Sequence, residues 1–119
     1  MSMEGYLNAG LGPLEGVQTV VAAATLGTTA TQVTLPTDAS GRRRRVRVRI
    51  TNPNASNFIA WGLVDKGAAA PSIVATFGAG AGVPVLPRAT YEFVIYDSKD
   101  LYVVADAAAQ SYSVAMFLF

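Results

Sequence analysis

Cysteine and histidine are both absent from this chain of 119 residues, and charged residues make up only 14% of it. Without those two residue types the chain has no disulfide, no thiolate nucleophile and none of the usual zinc ligands apart from carboxylates. It also lacks the commonest general base, and no Gly-x-Ser-x-Gly sequence occurs. These absences predict a protein that is not an enzyme, carries no metal or other cofactor and acts on no small-molecule substrate.

Two short motifs resemble catalytic or phosphate-binding sequences only in outline. Asp97 and Asp100 form a carboxylate pair, but the sequence DSKD that holds them is typical of a turn. The glycine-rich run at residues 78–82 lacks the Gly-Lys-Ser/Thr of a P-loop and opens no predicted helix. We interpret both as turns between strands.

Signals for secretion or membrane insertion are also missing from the sequence. Its first residues lack a basic start followed by an apolar run, so no signal peptide is predicted. No apolar run approaches the ~20 residues that cross a bilayer, so we expect no membrane partner. With 51% hydrophobic residues, many of them alanine and valine, the chain suits one domain that is partly buried against other subunits.

The N-terminal residues 1–16 predict an extended arm, because glycines and a proline interrupt every helical or strand period. A plain disordered terminus is the alternative. Against that alternative, the segment carries four large apolar side chains that could anchor it to a partner: Tyr6, Leu7, Leu11 and Leu14. We expect the arm to be mobile in an isolated subunit and ordered only against a neighbour.

Residues 17–119 predict one all-β domain, a β-sandwich or jelly roll. Short runs of β-branched or alternating residues separated by turn signals predict about eight strands and no convincing helix. The predicted strands lie at residues 17–26, 30–35, 42–50, 58–64, 89–96, 101–105 and 111–119, with a further candidate at 72–77 and a short edge piece at 83–86.

The segment RRRRVRVRI at residues 42–50 is the most distinctive stretch of the chain. Side chains alternate across a strand, so the segment presents arginines on one face and Val46, Val48 and Ile50 on the other. Six of the nine cationic residues lie here, and the remainder has three cations against eight carboxylates, or 3 − 8 = −5. The alternating arginines are Arg43, Arg45, Arg47 and Arg49.

Three interpretations of these arginines are open. The first is a solvated edge strand, whose outward charge guards against unwanted pairing. The second is a nucleic-acid surface, since arginine binds phosphates with two hydrogen bonds. This interpretation is the least favoured of the three, because lysine is scarce and the flanking residues are aliphatic. The third, which we favour, is an interface with another protein, where arginine is enriched and pairs with carboxylates.

The order of turns and strands after Arg47 resembles that of small structural proteins of tailed bacteriophages, notably capsid decoration (cement) proteins. The resemblance rests on Ile50-Thr51-Asn52, Ala60-Trp61-Gly62, the Gly82 to Pro87 turn, the aromatic strand at 91–96 and the closing segments DLYVVAD and SYSVAMFLF. The arginine segment and the arm lie outside the shared pattern.

That resemblance implies a virion protein made in the host cytoplasm and located on the capsid surface. It implies a homotrimer that binds the major capsid protein and stabilises contacts between capsid subunits. The alternative is a phage head or tail accessory protein, or a host-surface module that binds glycans. A glycan site would use Trp61 and Tyr91, but both lie in apolar strands, so we expect both to pack in the core.

Overall fold

The structure, a computed structural model, describes residues 18–37, 45–75 and 82–118 of the chain. All regular elements in these ranges are β-strands, and no helix occurs among them, which confirms the predicted all-β class. The strands are β1 (Gln18–Leu26), β2 (Thr31–Val33), β3 (Val46–Thr51), β4 (Ile59–Asp65), β5 (Val83–Val85), β6 (Thr90–Ile95), β7 (Lys99–Ala105) and β8 (Gln110–Leu118).

These strands form two four-stranded sheets. The first sheet has the order β1-β8-β3-β6 and the second the order β2-β7-β4-β5, with antiparallel neighbours throughout. The strand β3 is therefore internal and pairs with β8 on one side and β6 on the other. The short β5 lies at the edge of the second sheet, as predicted for a segment that contains Pro84.

The alternation predicted for the arginine segment is present in β3. Val46, Val48 and Ile50 are completely buried, whereas Arg47 and Arg49 are exposed. The three aliphatic side chains belong to one hydrophobic cluster that draws on both sheets. Its other members from the first sheet include Ile95, Val114 and Met116, and those from the second include Ile59, Leu101 and Val103.

The outer side of the second sheet is covered by the chain itself. Ile73 and Ala75 pack there against Ala60 of β4 and Val104 of β7, and Val104 is completely buried. Gly62 makes room for this segment, because a Cβ at its position would lie 3.3 Å from the Ile73 side chain. Ala60 and Val104 are therefore covered by this segment and not open to a partner.

Several strands differ from the sequence prediction, either in their bounds or in whether they form. The candidate strand at residues 72–77 is wrong for its described part, because only Val74 forms an isolated bridge and the segment instead packs across the second sheet. Lys99 and Asp100, predicted as part of a turn, begin β7. The arginine strand, predicted at residues 42–50, begins at Val46, and residues 42–44 lie outside the described residues. The whole predicted arm, residues 1–16, and the first residue of the predicted strand at 17–26 also lie outside them.

Candidate protein-docking face

The outer surface of the first sheet combines cationic, acidic and apolar side chains. Arg47 lies opposite Val94 of β6 and Phe117 of β8, and Arg49 lies opposite Glu92 and Ala115. We call this surface, formed by Arg47, Arg49, Glu92, Val94 and Phe117, the arginine face. The exposed residues Arg45 and Tyr96 extend it at the ends of β3 and β6.

Arg49 is partly neutralised within the arginine face. Its Nη2 lies 3.1 Å from Oε2 of Glu92, and the two side chains are 52% and 46% exposed. A salt bridge this exposed contributes only about 0–1 kcal/mol to stability. The sequence analysis missed Glu92, because the register that brings two distant strands together has no local sequence signal.

Arg47 lies between apolar residues on the same face. Its guanidinium belongs to an exposed side chain whose register neighbours are apolar: Val94 is 39% exposed and Phe117 is half-buried. Arginine and aromatic residues are enriched in protein interfaces, so an arginine among partly exposed apolar residues is typical of such a surface. The setting suits a partner that offers a carboxylate and apolar surface together.

The internal position of β3 removes one of the three interpretations of the arginines. An edge guard must lie on an edge strand, and β3 has partners on both sides. The carboxylate of Glu92 on the same surface would repel a phosphate backbone, so the mixed charge favours protein over nucleic acid.

The described predicted arginines, Arg45, Arg47 and Arg49, follow one another at alternate positions and are all exposed. The structure therefore brings these three to one surface. The remaining predicted site residues lie outside the described residues: Arg43, Tyr6, Leu7, Leu11 and Leu14.

An aromatic cluster joins the two sheets beside β5 and β6. The rings of Trp61 and Phe93 stack with a centroid distance of 3.8 Å and an interplanar angle of 8°. Tyr91 makes tilted contacts with both rings, at 5.6 Å from Trp61 and 6.0 Å from Phe93. Trp61 is buried as expected, but the core-packing prediction is wrong for Tyr91, which is 41% exposed because it lies near the start of the edge strand β6. A glycan would thus meet one exposed ring, since Phe93 covers a face of the indole.

A buried amide network holds the turn between β3 and β4. Asn52 is completely buried, and its Nδ2 donates hydrogen bonds of 2.9 Å to the carbonyl oxygens of Asn57 and Val85. Its Oδ1 accepts from the backbone N and the Nδ2 of Asn54. Asn54 in turn exchanges two hydrogen bonds with the backbone of Ser111 in β8. The sequence predicted this turn but not that its amides would link three distant segments.

Three of the described carboxylates accept hydrogen bonds within the fold. Asp100 is buried and accepts a hydrogen bond of 2.9 Å from the backbone N of Gly67. Asp106 accepts from the Asn57 side chain and from the backbone N of Phe58. A hydrogen bond of 2.7 Å from Lys99, together with its charge, holds the pKa of Asp65 below its ordinary value of 3.8. No group of three or more metal-ligating side chains occurs within residues 18–37, 45–75 and 82–118.

Comparison with protein-family models and with curated proteins finds no match for the chain. No helix that could cross a membrane is present in the described part of the chain.

Proposed function

We propose that this chain is a structural protein of a virion, a capsid decoration protein whose arginine face binds the major capsid protein. One observation carries the proposal: the sheet whose outer side is not covered by residues 71–75 presents exposed arginines between partly exposed apolar residues. In this role the protein is a homotrimer on the outer capsid surface, has no enzymatic activity and stabilises contacts between capsid subunits. The trimer and the capsid partner follow from the resemblance to phage decoration proteins.

The strand order supports a jelly-roll sandwich as the fold behind this function. The pairs β1–β8, β2–β7, β3–β6 and β4–β5 are all hydrogen-bonded neighbours, so the chain folds back on itself as a long hairpin whose arms pair along its length. Rolling such a hairpin into two four-stranded sheets gives a jelly roll, an architecture used by many viral capsid domains. Both sheets contribute to one hydrophobic cluster, as a sandwich requires.

Charge reversal at Arg47 tests the proposal. Capsids assembled without the chain are mixed with wild-type protein or with the Arg47→Glu variant, and binding is measured by cosedimentation. We expect at least about a tenfold weaker association for Arg47→Glu. The glutamate would face carboxylates of the partner, and loss of one side of an interfacial charge pair typically costs about 2–5 kcal/mol. Arg47→Lys should keep part of the affinity, since it keeps the charge and loses the two-pronged hydrogen bonding.

Arg88→Glu is the matched control, because Arg88 is exposed, lies in the turn before β6 and carries the same charge. Far-UV circular dichroism of each variant checks that the all-β fold is intact. Equal cosedimentation of Arg47→Glu and Arg88→Glu would contradict the proposal. Tight binding of wild type to DNA that weakens steeply with salt would instead indicate a nucleic-acid partner.

A further inference from the structure

The four edge strands of the two sheets differ in how they are protected against pairing with another chain. Native edge strands are usually short, or carry proline or charge. The strand β2 has three residues, and β5 has three residues with Pro84 in the middle. The strand β6 carries Glu92. Three of the four edge strands therefore have a feature that disfavours pairing with another chain.

The fourth edge, β1, is built differently. It has nine residues, QTVVAAATL, without charge, proline or glycine. Within the described residues it pairs with β8 alone. A register shift between Ala23 and Leu26 interrupts its last residues, but the six residues from Gln18 to Ala23 pair in unbroken register with β8. This leaves a regular stretch of six residues, about 20 Å long at roughly 3.3 Å per residue. Its outward N–H and C=O groups, which occur on alternate residues, have no partner strand among the described residues.

We propose that this edge of β1 binds β1 of a second copy of the chain in antiparallel orientation. An identical strand fits for two reasons. Antiparallel pairing continues the order of the first sheet, and the uncharged sequence brings no like charges together across a two-fold axis. The contact would join two first sheets into one sheet with the order β6-β3-β8-β1-β1-β8-β3-β6.

The contact has a consequence for the arginine face. The two β3 strands would be separated by five strand spacings, or about 24 Å at roughly 4.8 Å each. Their arginines would lie on the same side of the joined sheet, so a pair of copies would engage a repeating surface at two points and gain avidity. This consequence rests on the proposed function, whereas the β1 contact itself does not.

Single-cysteine variants test the contact directly, because the natural chain has no cysteine. Cysteine is introduced one position at a time at Thr19, Val20, Val21 and Ala22, and each full-length protein is oxidised mildly and analysed by non-reducing electrophoresis. In a two-fold antiparallel pair, the position at or next to the axis lies opposite itself, within the 4.4–6.8 Å between Cα atoms that a disulfide allows. We expect most of the protein to form a covalent dimer at one or two adjacent positions.

Thr31→Cys is the matched control, because it replaces a threonine in the short, guarded edge strand β2. It should give little dimer. Equal cross-linking of Thr31→Cys and the β1 variants would indicate random collision and would overturn the proposal, as would the absence of a dimer at all four β1 positions.

Mass measurement by light scattering gives a second readout on reduced protein. The wild type should have an even number of protomers, two alone or six if the proposed trimer also forms. Ala22→Lys, at a position paired in register with the half-buried Ser113, adds an edge charge and should halve that mass, while Thr31→Lys should leave it unchanged.

A wild type that is monomeric or trimeric at all concentrations means that something other than a second copy occupies the edge, and the proposal is then wrong. Loss of capsid binding by Arg47→Glu with an unchanged mass would leave the β1 contact standing.

Discussion

Asn52 shows how strongly a single buried side chain can hold this small fold together. Its amide satisfies two carbonyl oxygens and receives two hydrogen bonds from Asn54, with no exposure to water. Buried polar groups that lose their partners cost about 1–3 kcal/mol each. The turn after β3 is thus held by buried hydrogen bonds, in addition to the apolar packing that holds β3 itself.

We predict that Asn52→Leu, which keeps a similar volume, lowers the free energy of unfolding by at least about 3 kcal/mol, because the buried carbonyl oxygen of Val85 and the half-buried one of Asn57 lose their donor. Asn57→Ala is the control: its side chain donates one half-buried hydrogen bond, to Asp106, and its loss should cost about 1 kcal/mol. Urea unfolding followed by fluorescence of the single tryptophan measures both. Equal small losses of unfolding free energy in the two variants would show that the Asn52 hydrogen bonds contribute little to stability.

The ion pair of Asp65 and Lys99 can be tested by the pH dependence of thermal stability. Because Lys99 lowers the pKa of Asp65 below 3.8 in the folded protein, the pair stabilises the fold above pH 3.8, and this stabilisation is lost as pH falls through the lowered pKa. Lys99→Met should therefore lower Tm slightly at pH 7, and the difference from wild type should vanish in strong acid. Lys66→Met, in the neighbouring turn, should show no such trend. A Tm difference for Lys99→Met that is independent of pH would contradict the assigned pairing.

At the level of single residues, the sequence predicted which side chains point inward but not which ones meet. The alternation of valine and arginine was enough to place Val46 and Val48 inside and Arg47 and Arg49 outside. The pairing of Arg49 with Glu92, 43 residues away, depends on the register between β3 and β6, which neither segment encodes locally.

Among the elements, the turn between β7 and β8 carries a local conformational cost. Ala109 has φ of 59°, in the left-handed region that disfavours residues with a Cβ. The neighbouring Ala108 is also exposed and does not have a positive φ. This pair of alanines separates the effect of backbone geometry from the general flexibility of glycine.

We predict that Ala109→Gly raises the free energy of unfolding by about 1 kcal/mol, because glycine adopts this φ without strain. Ala108→Gly should instead lower it by about 0.4–1 kcal/mol, through greater freedom of the unfolded chain. Thermal and denaturant unfolding of the two variants measure the difference. Two losses of the same size would mean that the turn does not hold Ala109 in the left-handed region.

Element prediction failed where tertiary packing overrode local pattern. Residues 72–77 have strand-like composition, yet Ile73 and Ala75 cover Ala60 and Val104 instead of extending a sheet. A short apolar run cannot show from sequence alone whether its hydrophobic side faces a neighbouring strand or the outside of a sheet. The edge position of β5, in contrast, followed from Pro84, whose missing N–H excludes it from a central strand.

For the whole molecule, the two sheets have unequal outer sides. Residues 71–75 cover part of the second sheet, while the first presents the arginine face. The all-β class followed from turn spacing, but this asymmetry did not, because it depends on which sheet receives the 71–75 segment. The asymmetry is the physical reason to assign the arginine face, rather than the opposite side of the molecule, to a partner.

Electron cryomicroscopy of capsids assembled with and without the chain tests this assignment. We predict additional density on the outer capsid surface, with the first sheet turned toward the shell and the Arg47 guanidinium within about 4 Å of a capsid carboxylate, the range of a salt bridge. Particles that bind no chain, or that hold it with the arginine face turned to solvent and the second sheet against the shell, would contradict the proposed role of this surface.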